Sequence, residues 1–233
     1  MKTRNICLKC LKSEASCLCA LVKPFASGPL LALLMHPKER RKRAGTSTGR
    51  ITHLCIQNSY LFEGVVFEHE PRLQKLLSDP LLFPMVLYPG EQAVNLSIYS
   101  QHFATELKKL KRRPLVFVID ATWSCASTLW QANPWLKLLP HLCFTPQNKS
   151  AYRFKTQPHK DCLSTLEAVP PLLSVFNGIN MFPTSPPQAH DNMLEVFHKM
   201  VEYQVGFSDR KQIQAAHPED LVQNLVGQGK ALL

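Results

Sequence analysis

The chain has 233 residues, of which 45% are hydrophobic, so it can bury a sizeable core and is not globally disordered. Its formal net charge of +10 favours a polyanionic partner, with nucleic acid ahead of an anionic membrane surface. The longest apolar stretch, residues 29–35, is far too short to span a bilayer, which excludes a membrane-spanning helix there.

Four of the eight cysteines stand near the start of the chain in the spacing Cys-x2-Cys-x6-Cys-x-Cys, formed by Cys7, Cys10, Cys17 and Cys19. No signal peptide pattern precedes them, so we expect a cytoplasmic protein with reduced thiols. Four thiolates can fill the tetrahedral shell of a structural zinc ion, and so small a knuckle cannot fold by burial alone. An iron–sulfur site and a redox pair are the alternatives.

The cysteine pattern also sets the expected domain organisation. We expect a zinc-binding knuckle over residues 1–25, a larger domain over 26–205 and a C-terminal tail over 206–233. The tail holds a weak helical pattern near residues 218–226. No solenoid-type repeat and no low-complexity segment divides the sequence further.

Short apolar runs alternate with helical patterns along the larger domain. Strands are predicted over residues 29–36, 84–90, 115–120 and 141–144. Helical patterns follow residue 50, cover 100–112, start at 123 and near 164, and cover 190–203, with loops at 38–43 and 182–189. This alternation predicts an α/β fold with a mostly parallel sheet.

The segment Gly-Thr-Ser-Thr-Gly-Arg over residues 45–50 is a small polar turn before a helical pattern. Free backbone N–H groups at such a helix start can cradle an anion or a carboxylate. The segment lacks Gly-Lys-Ser/Thr, so it is not a P-loop, and a capped loop is the alternative.

The strand over residues 115–120 ends in a carboxylate, Asp120, and a helical pattern with Trp123 and Trp130 follows it. In open α/β sheets, ligands bind where a buried parallel strand passes into a helix. Capping of the following helix is the other role open to Asp120, and both roles can hold at once.

Residues 150–169 begin with a polar half in which Arg153 and Lys155 stand beside Tyr152, a combination suited to a phosphate or carboxylate ligand. In the second half, Ser164 stands three residues before Glu167 and predicts a capping box at a helix start. Capping alone would explain both of these residues. The two prolines at 170–171 are expected to interrupt or kink that helix.

The tetrapeptide Asp120-Ala-Thr122-Trp123 resembles the D-x-T-W signature of the DTW-domain family, the tRNA-uridine aminocarboxypropyltransferases. Other segments match the family in the same order. They are the four-cysteine cluster and residues 46–50, 87–91, 134–136, 152–153, 157–158 and 164–168. The resemblance spans roughly residues 7–169 and does not extend beyond about residue 205.

The resemblance implies a SPOUT-like α/β fold with a C-terminal knot. It also implies transfer of the 3-amino-3-carboxypropyl group of S-adenosylmethionine to N3 of a uridine in tRNA, with release of 5′-methylthioadenosine. The alternatives are a SPOUT-type RNA methyltransferase, an aminocarboxypropyltransferase acting on rRNA, and a non-catalytic zinc-knuckle RNA-binding protein. No obligate protein partner is implied.

Three residues of the signature are the candidate catalytic group. Asp120 is the candidate general base for the N3 proton, with positioning of donor or substrate as the alternative. Thr122 would orient Asp120 or contact the donor. Trp123 would stack on a base or pack in the core.

The resemblance assigns the remaining candidate residues to the donor and to RNA. The donor-binding candidates are Leu87, Tyr88, Pro89, Gly90, Glu91, Ser164, Thr165, Leu166 and Glu167. The RNA-contacting candidates are Thr48, Gly49, Arg50, Arg112, Arg113, Arg153 and Lys155. The basic runs over residues 38–43 and 108–113 are the expected phosphate-contacting surfaces.

Overall fold

The computed structural model describes residues 5–41, 47–152, 162–180 and 182–207. Within these ranges the protein has an α/β fold, which confirms the predicted fold class. The strands are β1 (Leu30–Met35), β2 (Ser59–Glu63), β3 (Leu82–Leu87), β4 (Val94–Asn95), β5 (Arg113–Asp120) and β6 (His141–Cys143). The α-helices are α1 (Pro37–Arg41), α2 (Thr48–Cys55), α3 (Pro71–Ser78), α4 (Leu96–Leu110), α5 (Trp123–Ala132), α6 (Thr165–Gly178) and α7 (Asp191–Phe207).

The six strands form one sheet in the order β2-β1-β5-β3-β6-β4, and each neighbouring pair is parallel. The carboxyl ends of all strands therefore lie at one edge of the sheet. Because parallel neighbours cannot be joined by a tight turn, the chain crosses a face of the sheet between them. This arrangement gathers the loops that follow the strands at the edge where open α/β sheets bind ligands.

Strand β5 lies inside the sheet, between β1 and β3. Its residues 115–117 have no exposed surface, as the continuous apolar run predicts for a strand covered on both faces. In the register of the sheet, Asp120 pairs with Met35 of β1, and Val118 pairs with Leu87 of β3. Asp120 is therefore placed at the carboxyl edge, beside the end of β1.

Alternate side chains of β5 pack into two cores on opposite faces of the sheet. Val116 and Val118 belong to the larger core, which includes α2, α4, α6 and α7. Phe117 belongs to the smaller core, with α3 and α5. Cys10 and Leu18 also pack in the larger core, so the cysteine-rich segment rests on the same face as α6 and α7.

Some boundaries differ from those predicted. The segment 38–43, expected to be a loop, begins as helix α1, because Pro37 suits the first helical position and Lys, Glu and Arg are good helix formers. Residues 42–43 lie outside the described residues. The second predicted strand runs over Leu82–Leu87 and ends before the Pro-Gly turn. Helix α4 begins before residue 100, because the Asn95 side chain accepts a hydrogen bond from the N–H of Ser97 and caps an earlier start.

Some elements of the fold were not predicted, and some predictions are not tested by the structure. Strands β2 and β4 and helix α3 were missed. Helix α6 continues through residues 170–171, so the two prolines do not interrupt it, whereas the alternative of a kink stays a prediction. The C-terminal knot and the domain boundaries remain predictions, and the helical pattern near 218–226 lies outside the described residues. In the part of the chain that the structure describes, no helix has both the length and the apolar character needed to cross a membrane.

Candidate active site at the carboxyl ends of β3, β5 and β6

A cavity of about 420 Å³ opens at the carboxyl edge of the sheet. Its walls come from the ends of β3, β5 and β6 and from the first turns of α2, α5 and α6. This volume lies within the range of small-molecule sites, and the position agrees with the rule for ligand sites in open α/β sheets.

Asp120 lies in the wall of this cavity and is 2% exposed. Its Oδ1 atom accepts hydrogen bonds from Thr48 Oγ1 (3.1 Å), the backbone N–H of Gly49 (2.9 Å) and Thr165 Oγ1 (2.7 Å). These donors belong to the first turns of α2 and α6. The carboxylate therefore joins the end of β5 to two other helix starts, whereas the N-cap of the helix that follows it, α5, is Thr122.

Gly49 is required by the close approach of α2 to Asp120. A Cβ atom at this position would lie 2.4 Å from Cγ of Asp120, much closer than two carbon atoms can approach. The polar turn over residues 45–50 was predicted to cradle an anion or a carboxylate. In its described part, the group that Gly49 binds is the protein's own carboxylate at Asp120.

The first turn of α5 presents Thr122, Trp123 and Ser124 to the cavity. The hydroxyl oxygens of Thr122 and Ser124 are 3.4 Å apart. Trp123 remains 40% exposed, so it lies at the rim of the cavity and is not part of either core. An exposed indole beside a cavity offers a flat surface for a ring ligand.

The sequence profile of the DTW domain matches residues 4–205. The chain belongs to the DTW domain family. The match confirms the family resemblance indicated by the signature residues Asp120, Thr122 and Trp123. It covers nearly all of the described residues.

Three curated relatives carry the name tRNA-uridine aminocarboxypropyltransferase 2. The protein from Drosophila melanogaster is 25% identical over 226 residues, which cover 95% of this chain and 82% of the relative. The protein from Macaca fascicularis is 26% identical over 77% of this chain and 59% of the relative, and that from Mus musculus is 26% identical over 76% and 58%. No solved structure gives a significant match to this DTW domain.

Of the residues after β3 that were predicted to bind the donor, only some lie at the cavity. Leu87, Tyr88 and Pro89 line the cavity, whereas Gly90 and Glu91 are exposed and do not belong to its lining. Burial raises the pKa of the Tyr88 hydroxyl. The Tyr88 ring stacks on Trp130 with centroids 4.0 Å apart and the planes 6° from parallel, which fixes this wall of the cavity.

The predicted residues at the start of α6 also lie in different places, some at the cavity and others buried behind it. Ser164 and Thr165 line the cavity of the DTW domain, whereas Leu166 is fully buried in the larger core. Glu167 forms the predicted capping box with Ser164, whose backbone N–H donates to Oε2 of the glutamate at 2.9 Å.

Glu167 also binds the loop before the helix. Its carboxylate accepts hydrogen bonds from Ser150 Oγ (2.7 Å) and from the backbone N–H of Ala151 (2.8 Å). This buried side chain therefore holds the loop before α6 against the start of α6, behind the cavity wall. Capping alone did not predict this role.

Several cavity residues were not predicted from the sequence. Most are apolar and follow β5 or β6 or precede α6. They are Val118, Ile119, Ala121, Ser124, Ala126, Leu142, Cys143, Phe144, Pro146, Tyr152, Cys162 and Leu163. The short strand over residues 141–144 was the available signal, since the residues after any parallel strand lie at the same edge. Its position next to β3 could not be read from the sequence.

The two arginines proposed to contact RNA at the start of β5 are turned toward the protein. Arg113 donates hydrogen bonds to the backbone oxygens of Gly28 (2.9 Å) and Ser27 (3.2 Å), and burial lowers its pKa. The guanidinium of Arg112 lies 5.8 Å from the ring centroid of Phe83. Both arginines stand at the amino end of β5, roughly 20 Å along the strand from the cavity.

The remaining residues predicted to contact RNA lie in different surroundings. Thr48 lines the cavity and Gly49 packs on Asp120, as described above. Arg50 is half-buried in the first turn of α2. Arg153 and Lys155 lie outside the described residues, as does Thr46 of the family motif.

The four N-terminal cysteines form a cluster that could hold a metal ion. All four sulfur atoms lie within 4.8 Å of one another, and the Cys7–Cys19 and Cys10–Cys17 pairs are each separated by 3.7 Å. Tetrahedral zinc with bonds of about 2.3 Å places its sulfur ligands about 3.8 Å apart. None of the four cysteines lines the cavity, so a metal there would be structural.

Proposed function

We propose that this DTW domain transfers the 3-amino-3-carboxypropyl group of S-adenosylmethionine to N3 of a uridine in tRNA, with release of 5′-methylthioadenosine. The names of the three relatives support the reaction type. The observation that carries the proposal is the convergence of the signature residues Asp120, Thr122 and Trp123 on one cavity at the carboxyl edge of the sheet.

The residues of the cavity suit a nucleoside-containing donor. Apolar side chains such as Leu87 and Leu142 supply surface for a flat ring, and the hydroxyl groups of Ser164 and Thr165 supply polar contacts. With Tyr88 and Pro89, these are the residues that would hold S-adenosylmethionine. When bound, this donor would supply an alkyl group attached to a positively charged sulfur that leaves as a neutral thioether, while the N3 proton of the uridine is released to water.

Asp120 acts in this proposal as a positioning residue. Its Oδ1 atom accepts three hydrogen bonds, from Thr48, Gly49 and Thr165, so this oxygen is engaged in holding the protein together. Its contacts hold the starts of α2 and α6 in the cavity wall. Its negative charge also favours a cationic sulfur nearby, because charges attract strongly where water is excluded.

Trp123 is the proposed contact for the acceptor base. Its indole is partly exposed at the rim and adjoins the cavity that would hold the donor. Unpaired bases in RNA loops are commonly recognised by stacking on aromatic side chains. Uracil stacked on Trp123 would lie beside the cavity that holds the donor. The net charge of +10 favours the polyanionic acceptor.

The proposed metal is a structural zinc ion bound by Cys7, Cys10, Cys17 and Cys19. Lys12 is buried beside the cluster, where desolvation lowers its pKa to about 8, while the thiolates of Cys10 and Cys17 act in the opposite direction. Four thiolates around a divalent ion leave a net negative charge, which this lysine would offset.

Product analysis tests the proposed reaction. The protein is incubated with unmodified tRNA and S-adenosylmethionine, and both the by-product and the tRNA nucleosides are identified by mass spectrometry. We expect 5′-methylthioadenosine and a uridine heavier by one aminocarboxypropyl group, with Trp123→Ala much less active than Leu138→Ala, an exposed change outside the cavity. Formation of S-adenosylhomocysteine, or modification of rRNA in place of tRNA, would show the proposal to be wrong.

A further inference from the structure

Trp130 is a half-buried tryptophan in the last turn of α5. It is not among the described residues that line the cavity. Its side chain packs against the smaller core, on the face of the sheet that carries α3 and α5. A tryptophan in such surroundings commonly contributes apolar surface to the core and nothing else. Trp130 differs from that case in the two rings that it contacts.

The first of these rings belongs to Tyr88, which does line the cavity. The two rings are stacked with centroids 4.0 Å apart and planes 6° from parallel, so the indole covers one face of the Tyr88 ring. The backbone N–H of Tyr88 donates a hydrogen bond of 3.0 Å to the carbonyl oxygen of Leu142 in β6. The main chain of Tyr88 is therefore held by β6, whereas its ring is held by Trp130.

The second ring belongs to His141, the first residue of β6. It meets the indole of Trp130 nearly edge to face, with centroids 5.3 Å apart and planes at 69°. The next three residues, 142–144, all line the cavity. One side chain outside the cavity thus contacts both the residue that follows β3 and the strand that forms the neighbouring wall. These two contacts restrict the indole to one orientation against Tyr88.

We propose that Trp130 is a positioning residue for the donor, which acts by holding the Tyr88 ring in the cavity wall. Without the indole, the Tyr88 ring gains room on the face that is now covered and no longer keeps a single position. The form of the wall that fits the donor is then populated less, and the apparent affinity falls in proportion. The proposal rests on the proposed function for the identity of the donor, S-adenosylmethionine.

The experiment measures binding of S-adenosylmethionine to the full chain by calorimetry, together with rates at saturating tRNA and varied donor. Trp130→Leu removes the stacked ring, and Trp130→Phe keeps an aromatic ring in its place. The matched control is Trp135→Leu. Trp135 is also half-buried against the smaller core and contacts Phe117 edge to face at 5.1 Å, but it is not among the described residues that line the cavity.

The variants at position 130 should lose donor affinity according to the ring that they retain. Trp130→Leu should weaken binding of S-adenosylmethionine by up to about tenfold, the worth of one aromatic pair. Trp130→Phe should bind within about threefold of the wild type, and Trp135→Leu within about twofold. The KM for the donor should rise in the same order while kcat stays unchanged, because the lost contact favours binding of the donor and not the chemical step.

Thermal unfolding verifies that each variant is folded. If Trp130→Leu does not fold, Trp130→Met provides the same test, because it fills more of the space without a ring.

A double-mutant cycle shows whether Trp130 acts through Tyr88. Tyr88→Leu should weaken donor binding at least as much as Trp130→Leu. The double variant Tyr88→Leu/Trp130→Leu should bind no more weakly than Tyr88→Leu, because no ring remains for the indole to hold. Losses that simply add would show that Trp130 acts independently of Tyr88, and the proposal would be wrong.

The outcomes separate this proposal from the proposed function. If Trp130→Leu binds S-adenosylmethionine as tightly as Trp135→Leu while the wild type forms 5′-methylthioadenosine, the positioning role is wrong and the function stands. If donor binding depends on Trp130 but the wild type forms S-adenosylhomocysteine, the function is wrong and the positioning role stands. A wild type that binds no S-adenosylmethionine overturns both.

Discussion

The hydroxyl group of Thr165 donates a hydrogen bond of 2.7 Å to Oδ1 of Asp120, although the two residues are 45 positions apart in the chain. The bond joins the carboxyl end of β5 to the first residue of α6. Two further donors, Thr48 and Gly49, reach the same oxygen from α2. The acid of the DTW signature is therefore the point at which three elements of the cavity wall are joined.

The two possible roles of Asp120 give different results in Asp120→Asn. An asparagine retains an oxygen that can accept the bonds from Thr48, Gly49 and Thr165, so a positioning role predicts a fold within about 1 kcal/mol of the wild type and turnover reduced about tenfold or less. A general base would instead be worth a loss of about 10²- to 10⁴-fold in kcat. Single-turnover assays with tRNA, together with urea unfolding, distinguish the two.

Asp120→Ala completes that comparison. Loss of the side chain leaves buried donors without their acceptor, at a cost of about 1–3 kcal/mol for each. We expect clear destabilisation and loss of activity together. Equal losses of activity in the asparagine and alanine variants, with stability lost in the alanine variant alone, would contradict the positioning role.

Gly49→Ala is expected to damage the site through packing. The added methyl group would lie 2.4 Å from Cγ of Asp120, so α2 must move away from β5, at a cost of about 1–3 kcal/mol. Gly178→Ala is the matched control, because a Cβ there meets no atom within 4 Å. Urea unfolding should show the first variant to be destabilised and the second unchanged or slightly stabilised. Equal stability of the two variants would contradict the close contact.

The sequence was sufficient where a local pattern specified the structure. Residues 115–120 predicted β5 because a strand covered on both faces is apolar throughout. Ser164 and Glu167 predicted the start of α6 because a capping box needs only a spacing of three. Strand β4 has two residues and gives no periodicity, so it could not be predicted.

The rest of the site depends on contacts between distant segments. The steric need for Gly49 arises from Asp120, 71 residues away, and no pattern near either residue reports it. Glu167 likewise accepts hydrogen bonds from Ser150 and Ala151, which stand 17 and 16 positions earlier in the chain. The inward orientation of Arg113 likewise depends on Ser27 and Gly28, so a basic run in the sequence could not show which of its cations face solvent.

Glu167→Gln tests the hydrogen bonds that hold the loop before α6 behind the cavity. The carboxylate accepts bonds from Ser150, Ala151 and Ser164, and an amide can satisfy these donors through one oxygen alone. We expect a loss of about 1–3 kcal/mol in the free energy of unfolding. Glu202→Gln removes an exposed acid paired with Lys199 and should change stability by less than about 1 kcal/mol. Similar values for both variants would contradict a buried fastening role.

Removal of the proposed zinc ion should unfold the N-terminal segment and weaken the larger core. A zinc site with four thiolates is formed on folding, so its binding free energy contributes directly to stability. Cys10 is nearly fully buried and packs in that core, so loss of the ion reaches beyond the loops that hold it. A strong chelator should therefore lower the unfolding temperature, and added zinc should restore it.

Substitution provides the matched test of the same site. In Cys10→Ser, elemental analysis should find much less than one zinc ion per chain, with a lower unfolding temperature that zinc does not restore. Cys125→Ala removes a buried cysteine outside the cluster and should leave the zinc content unchanged. Iron in place of zinc, or full zinc content in Cys10→Ser, would show the proposed four-thiolate zinc site to be wrong.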